Sequence, residues 1–183
     1  EVFWWDDLAS LLEKELTESI SFHYLGRSFH FDSKKTAFEK LGSWLKNMPK
    51  QDVQHFLNFL KKSLNQQVSN GHISLTLSWD QMRKMKASNI SFSVHSSSHS
   101  ALSRLEQKEL IAELQSSRQK IYLGLSEESN WFAYPYGEVS DFNDRVILSL
   151  KESGFICALT MIQGLNFIPS DLYRLKRIGI GGN

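Results

Sequence analysis

The sequence predicts an α/β protein in which parallel strands deliver polar loops to one end of a sheet, and three stretches predict it. Residues 90–94, ISFSV, alternate apolar and polar side chains at period two and stop where His95 opens a run of serines. Residues 131–134, WFAY, form a second apolar stretch that ends as abruptly at Pro135-Tyr136-Gly137, where proline fixes φ and glycine frees it. Between them Leu110, Ile111, Leu114 and Ile121 recur at helical spacing over residues 106–121. The local order is strand, polar loop, helix, strand, polar loop, which is a βα unit of a parallel sheet or barrel.

The remaining elements follow in order. Residues 1–20 carry Phe3, Trp4, Leu8, Leu11, Leu12 and Leu16 at intervals of three and four and predict an amphipathic helix, with Asp6 and Asp7 in its first turn where carboxylates suit the macrodipole. Residues 20–31 alternate around Leu25-Gly26-Arg27 and predict a hairpin with His23 and His30 on its arms, surface histidines because no carboxylate or cysteine pattern surrounds them. Two amphipathic helices follow, one with Phe38, Leu41 and Leu45, the other with Val53, Phe56, Leu57, Leu60 and Leu64, split at Pro49 and with Gln51 or Asp52 near the second start. Their apolar stripes fit a core, or a lid or partner surface. Ser69-Asn70-Gly71 marks a boundary.

Beyond it, Ser78 and Gln81 have capping-box spacing ahead of a helix packed by Met82 and Met85. Residues 140–153 predict another helix, capped by Ser140 or Asp141 and stopped by Gly154. Residues 155–160 and 175–180 complete a set of at least four parallel strands from Leu77 onward.

Composition narrows the function classes. At 183 residues and 41% hydrophobic the chain can bury a full core, and a net charge of +1 gives no electrostatic case for nucleic acid or a membrane surface. The single cysteine, Cys157, lies in an apolar run and has no partner for an internal disulfide, so it reads as a buried strand residue. The sequence has no apolar run long enough to span a bilayer and no basic-then-apolar leader, and its start at Glu1 is expected of a trimmed chain.

His95 and His99 carry the chemistry. On a helical turn their spacing would set both imidazoles on one face about 6 Å apart, close enough to share a metal ion. The spacing alone is common, and no Glu follows the first His as a metalloprotease motif would require. The second loop, arriving from a neighbouring strand at the same kind of end, is what raises the pair above coincidence.

These motifs resemble those of the polysaccharide deacetylases, the family four carbohydrate esterases with the chitooligosaccharide deacetylase homology domain. That family's His-Ser/Thr-x-x-His metal motif is matched by His95, Ser96 and His99. Its R-x-P-Y/F-G-type motif is matched by Ala133, Tyr134, Pro135, Tyr136 and Gly137, in the FAYPYG form of a branch that lacks the Arg. Leu77-Ser78-Trp79-Asp80 and Arg174-Leu175-x-Arg177-Ile178 also fit, and Trp4-Trp5-Asp6-x-Leu8 resembles the start of a helical insertion found in many members.

The resemblance implies a distorted, incomplete parallel (β/α) barrel of the deacetylase type, with residues 1–71 as a helical and hairpin insertion and 72–183 as the barrel portion. It implies a metal-dependent hydrolase that removes N- or O-acetyl groups from a polysaccharide or oligosaccharide. His95 and His99 would hold a divalent ion, zinc by default, the Tyr136 backbone N–H would serve the oxyanion, and Pro135, Tyr136 and Gly137 would line the substrate site.

Other parts of the family's machinery are not matched. Asp6 and Asp7 lie in a helix and do not match the family's aspartate motif, which supplies the third ligand and the base; the Arg that orients the base is Ala133; and no His occurs after Ile162 to serve as the acid. The expectation is therefore an N-terminally incomplete deacetylase, a weak zinc binder and poor catalyst by itself, whose open barrel edge invites a homodimer. One rival expectation is a non-catalytic carbohydrate-binding or protein-interaction module of degenerate deacetylase fold; a second makes residues 1–70 the functional part, an α-helical interaction element, with the barrel as scaffold.

Overall fold

The computed structural model describes residues 3–14, 18–64 and 76–180, and the chain divides into two compact units, Glu1–Thr76 and Leu77–Asn183. The Ser69-Asn70-Gly71 cluster lies outside the described residues.

In the first unit, α1 (Trp4–Glu13) places Asp6 and Asp7 in its first turn and buries Leu8, Leu11 and Leu12. It ends well before residue 20. The antiparallel hairpin β1 (Ile20–Tyr24) and β2 (Arg27–Phe31) turns through Leu25 and Gly26, both at positive φ (48° and 74°), the conformation that matches a two-residue turn to strand twist. Helix α2 (Lys34–Leu45) is capped by Ser33, whose side chain accepts from the Thr36 N–H, and α3 (Lys50–Ser63) begins directly after Pro49. The predicted stripes face inward except at Phe38, which is exposed while Ala37 beside it is buried: Leu41, Leu45, Phe56 and Leu60 are at most 1% exposed and join Ile20, Phe22 and Phe31 in one core. His23 and His30 lie exposed on the hairpin arms.

In the second unit, α4 (Trp79–Ala87) carries the complete Ser78–Gln81 capping box. At its far end Asn89 takes a left-handed φ of 62° and the Ile90 N–H returns to the Met85 carbonyl, a Schellman closure. That closure corrects the expected strand over residues 90–94. The Ile90 N–H is spent on the helix and Ser93 Oγ donates to the Trp131 carbonyl at 2.6 Å, so only Val94 makes a sheet bridge.

The sheet itself has β3 (Trp131–Ala133), β4 (Cys157–Gln163) and β5 (Leu175–Arg177), parallel and in that order, with Val94 bridged to the free side of β3. Three strands and one bridge stand where at least four strands were expected. Helix α5 (Gln107–Leu125) runs four residues further than its apolar spacing predicted, and α6 (Asp144–Glu152) is capped by Asn143 rather than Ser140 or Asp141. Asp141 is instead fully buried and accepts from the Glu138 N–H. Leu110, Leu114, Val146 and Leu150 from the two helices pack with Phe132, Phe155 and Ala158 of the sheet side. Cys157 is a buried strand residue. No described helix is long and apolar enough to cross a membrane.

Candidate metal and oxyanion site

Both motif loops leave the C-terminal end of the sheet. Val94 binds β3 on both sides of one residue, its N–H donating to the Trp131 carbonyl and its carbonyl accepting from the Ala133 N–H, so the chain entering the first loop is registered against the chain entering the second. His95 adds a third tie, with Nδ1 at 2.8 Å from the Ala133 carbonyl oxygen. A carbonyl can only accept, so Nδ1 carries a proton, and in the neutral ring Nε2 then keeps its lone pair.

The predicted pair does come together, though not on a helix. The loop reverses because Ser96 and His99 both adopt left-handed φ values of 63° and 56°, with Ser96 Oγ accepting from the His99 N–H at 2.9 Å. The His95 and His99 rings meet edge to face with centroids 4.7 Å apart, and His99 meets the Tyr136 ring the same way at 4.8 Å. Burial, and secondarily the neighbouring His95, push the His99 pKa down to about 4 against a smaller opposing effect of its backbone hydrogen bond. At neutral pH His99 is an uncharged imidazole, the form that ligates metals.

The second loop is equally tight. The Gly137 N–H bonds the Pro135 carbonyl at 2.7 Å across Tyr136, whose φ is 60°, which makes Tyr136 the centre of a strained γ-turn. Gly137 has φ of 69°, and a Cβ there would meet the Met161 backbone nitrogen at 2.7 Å. Its carbonyl accepts that nitrogen's proton, tying the turn to β4. Pro135 and Gly137 are buried and Tyr136 half-buried.

Tyr134 is the loop's anchor: 1% exposed, stacked on Phe142 at 4.3 Å, its hydroxyl donating to the Tyr173 carbonyl. Burial pushes its phenol well above the usual tyrosine range. Arg174, in the closing motif, is paired with Asp144 and Asp171.

Two partners of the site escaped the sequence reading. The Ala133 carbonyl is a backbone atom and leaves no mark on the sequence. Glu113 of α5 accepts from the Ser97 and Ser98 N–H groups, and its only trace is a polar stripe of Glu113, Ser117 and Lys120 at helical spacing beside the apolar one. Among the described residues no group of three or more His, Cys, Asp or Glu is gathered to hold a metal, so the pair has no third described ligand.

A solved polysaccharide deacetylase from Bacillus cereus is similar at 25% identity with a TM-score of 0.50, over 60% of this chain and 34% of its own. The deacetylase PplD of Streptococcus pyogenes, solved with acetate, is 18% identical with a TM-score of 0.55 over 97% of this chain and 80% of its own. The deacetylase domain of BpsB from Bordetella bronchiseptica is 18% identical with a TM-score of 0.51 over 66% and 63%. The chain thus spans about a third of the Bacillus cereus protein. No curated protein sequence matches it. The sequence profile of the polysaccharide deacetylases matches residues 31–158, which takes in both motif loops, and the chain belongs to that family.

Proposed function

We propose that this chain carries the metal-binding and oxyanion-binding part of a hydrolase that removes acetyl groups from a polysaccharide or oligosaccharide, with His95 and His99 as ligands of a divalent ion, zinc by default. The observation that carries the reading is the tautomer of His95. Its Nδ1 donates to the Ala133 carbonyl, which in the neutral ring leaves the Nε2 lone pair for a metal, with the neutral His99 ring 4.7 Å away. When bound, such an ion would polarise an acetyl carbonyl and lower the pKa of a bound water to about 7.

The chain's own residues account for the rest. The γ-turn fixes the backbone of Tyr136, whose ring lies against His99, and since Pro135 has no N–H, the Tyr136 amide is the donor offered to a developing oxyanion. Losing one such donor costs about 3 kcal/mol of transition-state stabilisation. Pro135, Tyr136 and Gly137 would form the substrate-facing wall around the acetyl group. The Streptococcus pyogenes deacetylase, similar over nearly the whole chain, was solved with acetate, the product this reaction would release.

Zinc content and acetate release from N-acetylglucosamine oligomers test the reading. In the full-length protein His95→Ala and His99→Ala should each abolish both. Acetate release that persists in a metal-free double variant would overturn it.

A further inference from the structure

The loop that presents the histidine pair is held from within by side-chain hydrogen bonds alone, the Ser96 Oγ accepting from the His99 N–H and the Ser98 and Ser100 hydroxyls 2.8 Å apart. His95 and His99 are separated by Ser96, Ser97 and Ser98, none of which offers an apolar anchor, and the backbone takes left-handed φ values at Ser96 and His99. A contact from outside the loop adds to these bonds. Glu113 supplies it: its Oε2 accepts from the Ser97 N–H at 2.8 Å and from the Ser98 N–H at 2.9 Å. Successive N–H groups that converge after a left-handed residue form a concavity suited to an anion, and here the anion is supplied by the protein.

The carboxylate is itself held still. Glu113 lies between Leu110 and Leu114, both 0% exposed, so α5 cannot roll or slide without disturbing the core. One turn on, Ser117 Oγ donates to the Glu113 carbonyl, and a further turn on, Lys120 Nζ donates to Ser97 Oγ at 2.7 Å. A single polar stripe of α5 therefore grips the loop at two points.

Resting on the histidine reading above, we infer that Glu113 is a positioning residue for the metal pair: it clamps the Ser97–Ser98 backbone so that His95 and His99 face one ion. Without the clamp, two N–H groups lose their acceptor and the loop loses an outside support for the disfavoured conformation of Ser96 and His99. The ligands remain present but are no longer preorganised, and outer partners of this kind change metal affinity by about 10- to 100-fold.

The test is a zinc titration of the metal-free protein and of its Glu113→Gln, Glu113→Ala and His95→Ala variants, with amide hydrogen exchange at Ser97 and Ser98. Glu113→Ala should weaken zinc by about tenfold or more, Glu113→Gln by less because its amide oxygen can still accept, and His95→Ala should lose the site. Exchange at Ser97 and Ser98 should quicken in Glu113→Gln while the amides of α5 keep their protection, which a general loss of stability would not produce. Wild-type zinc affinity in both Glu113 variants, with binding lost in His95→Ala, overturns the clamp alone. Unchanged exchange at Ser97 and Ser98 in Glu113→Gln overturns it even if Glu113→Ala fails to fold. Equal zinc binding by His95→Ala and wild type overturns the histidine reading, and the clamp with it.

Discussion

The two units of the chain use aromatic and polar residues to opposite ends. In the first, Phe22, Tyr24, Phe29, Trp44, Phe56 and Phe59 contact one another through a web of stacked and edge-on rings that packs its core. Its one described non-glycine residue at positive φ is Leu25, in the hairpin turn. The second unit has such residues at Asn89, Ser96, His99, Ser126 and Tyr136. Asn89 and Ser126 end α4 and α5, where a left-handed residue closes the helix. The other three lie in the two motif loops, each at a cost of about 1–2 kcal/mol with no helix to close. Strain that local structure does not need points to a site, and among the described residues only the second unit bears it.

The contrast predicts different responses to substitution. The largest stability effect belongs to the first unit: Phe56, 0% exposed and in contact with Phe22, Tyr24, Trp44 and Phe59, should cost about 3–5 kcal/mol when changed to Ala. Denaturant unfolding of the transition that reports residues 3–64 measures it. A loss below about 1 kcal/mol would show that the ring web is a loosely packed surface and would revive the partner-surface reading of these helices.

A middle-sized effect is expected where strain and packing meet in the second unit. Gly137→Ala puts a Cβ 2.7 Å from the Met161 backbone nitrogen, at a φ of 69°. The nitrogen cannot retreat without breaking its bond to the Gly137 carbonyl, so the turn must open. The substitution should cost about 1–3 kcal/mol in unfolding experiments and should lower acetate release further than that loss explains, because the Tyr136 amide proposed to bind the oxyanion moves with the turn. Stability within about 0.5 kcal/mol of wild type would mean the turn is not under strain.

What the sequence made legible, and what it hid, divides along the same line. Apolar periodicity located the buried faces of α1, α2, α3 and α5, from Leu8 to Leu114, because side-chain burial is written directly in residue type, whereas α4, expected to pack through Met82 and Met85, buries no residue. The hairpin was readable from Gly26, and the Ser78–Gln81 box from its spacing. Element ends were not readable in the same way. Residues 90–94 alternate as a strand would, yet the Ile90 N–H closes a helix and the Ser93 hydroxyl takes a carbonyl, so hydrogen bonding overrides the pattern. In the site, His95, His99 and Tyr136 could be named from motif and spacing. Their arrangement could not, since it depends on left-handed backbone at serine and histidine, on the Ala133 carbonyl and on Glu113 from the next helix.

The smallest effect is expected at Ala133, where most members of the family carry the Arg that the FAYPYG form lacks. If that Arg were simply lost here, Ala133→Arg should raise the rate of acetate release. The geometry argues otherwise. The part of residue 133 that the site uses is its carbonyl, which fixes the proton of His95 on Nδ1, and its N–H, which bonds Val94; both are independent of the side chain. A guanidinium at 133 would set a permanent positive charge close to the two imidazoles proposed to bind a cation, and like charge disfavours that binding. Zinc affinity should stay the same or fall, and acetate release should not rise. A clear gain in rate at unchanged zinc content would show that the Ala133 carbonyl is not sufficient to orient this site, and that residue 133 is a position where function has decayed.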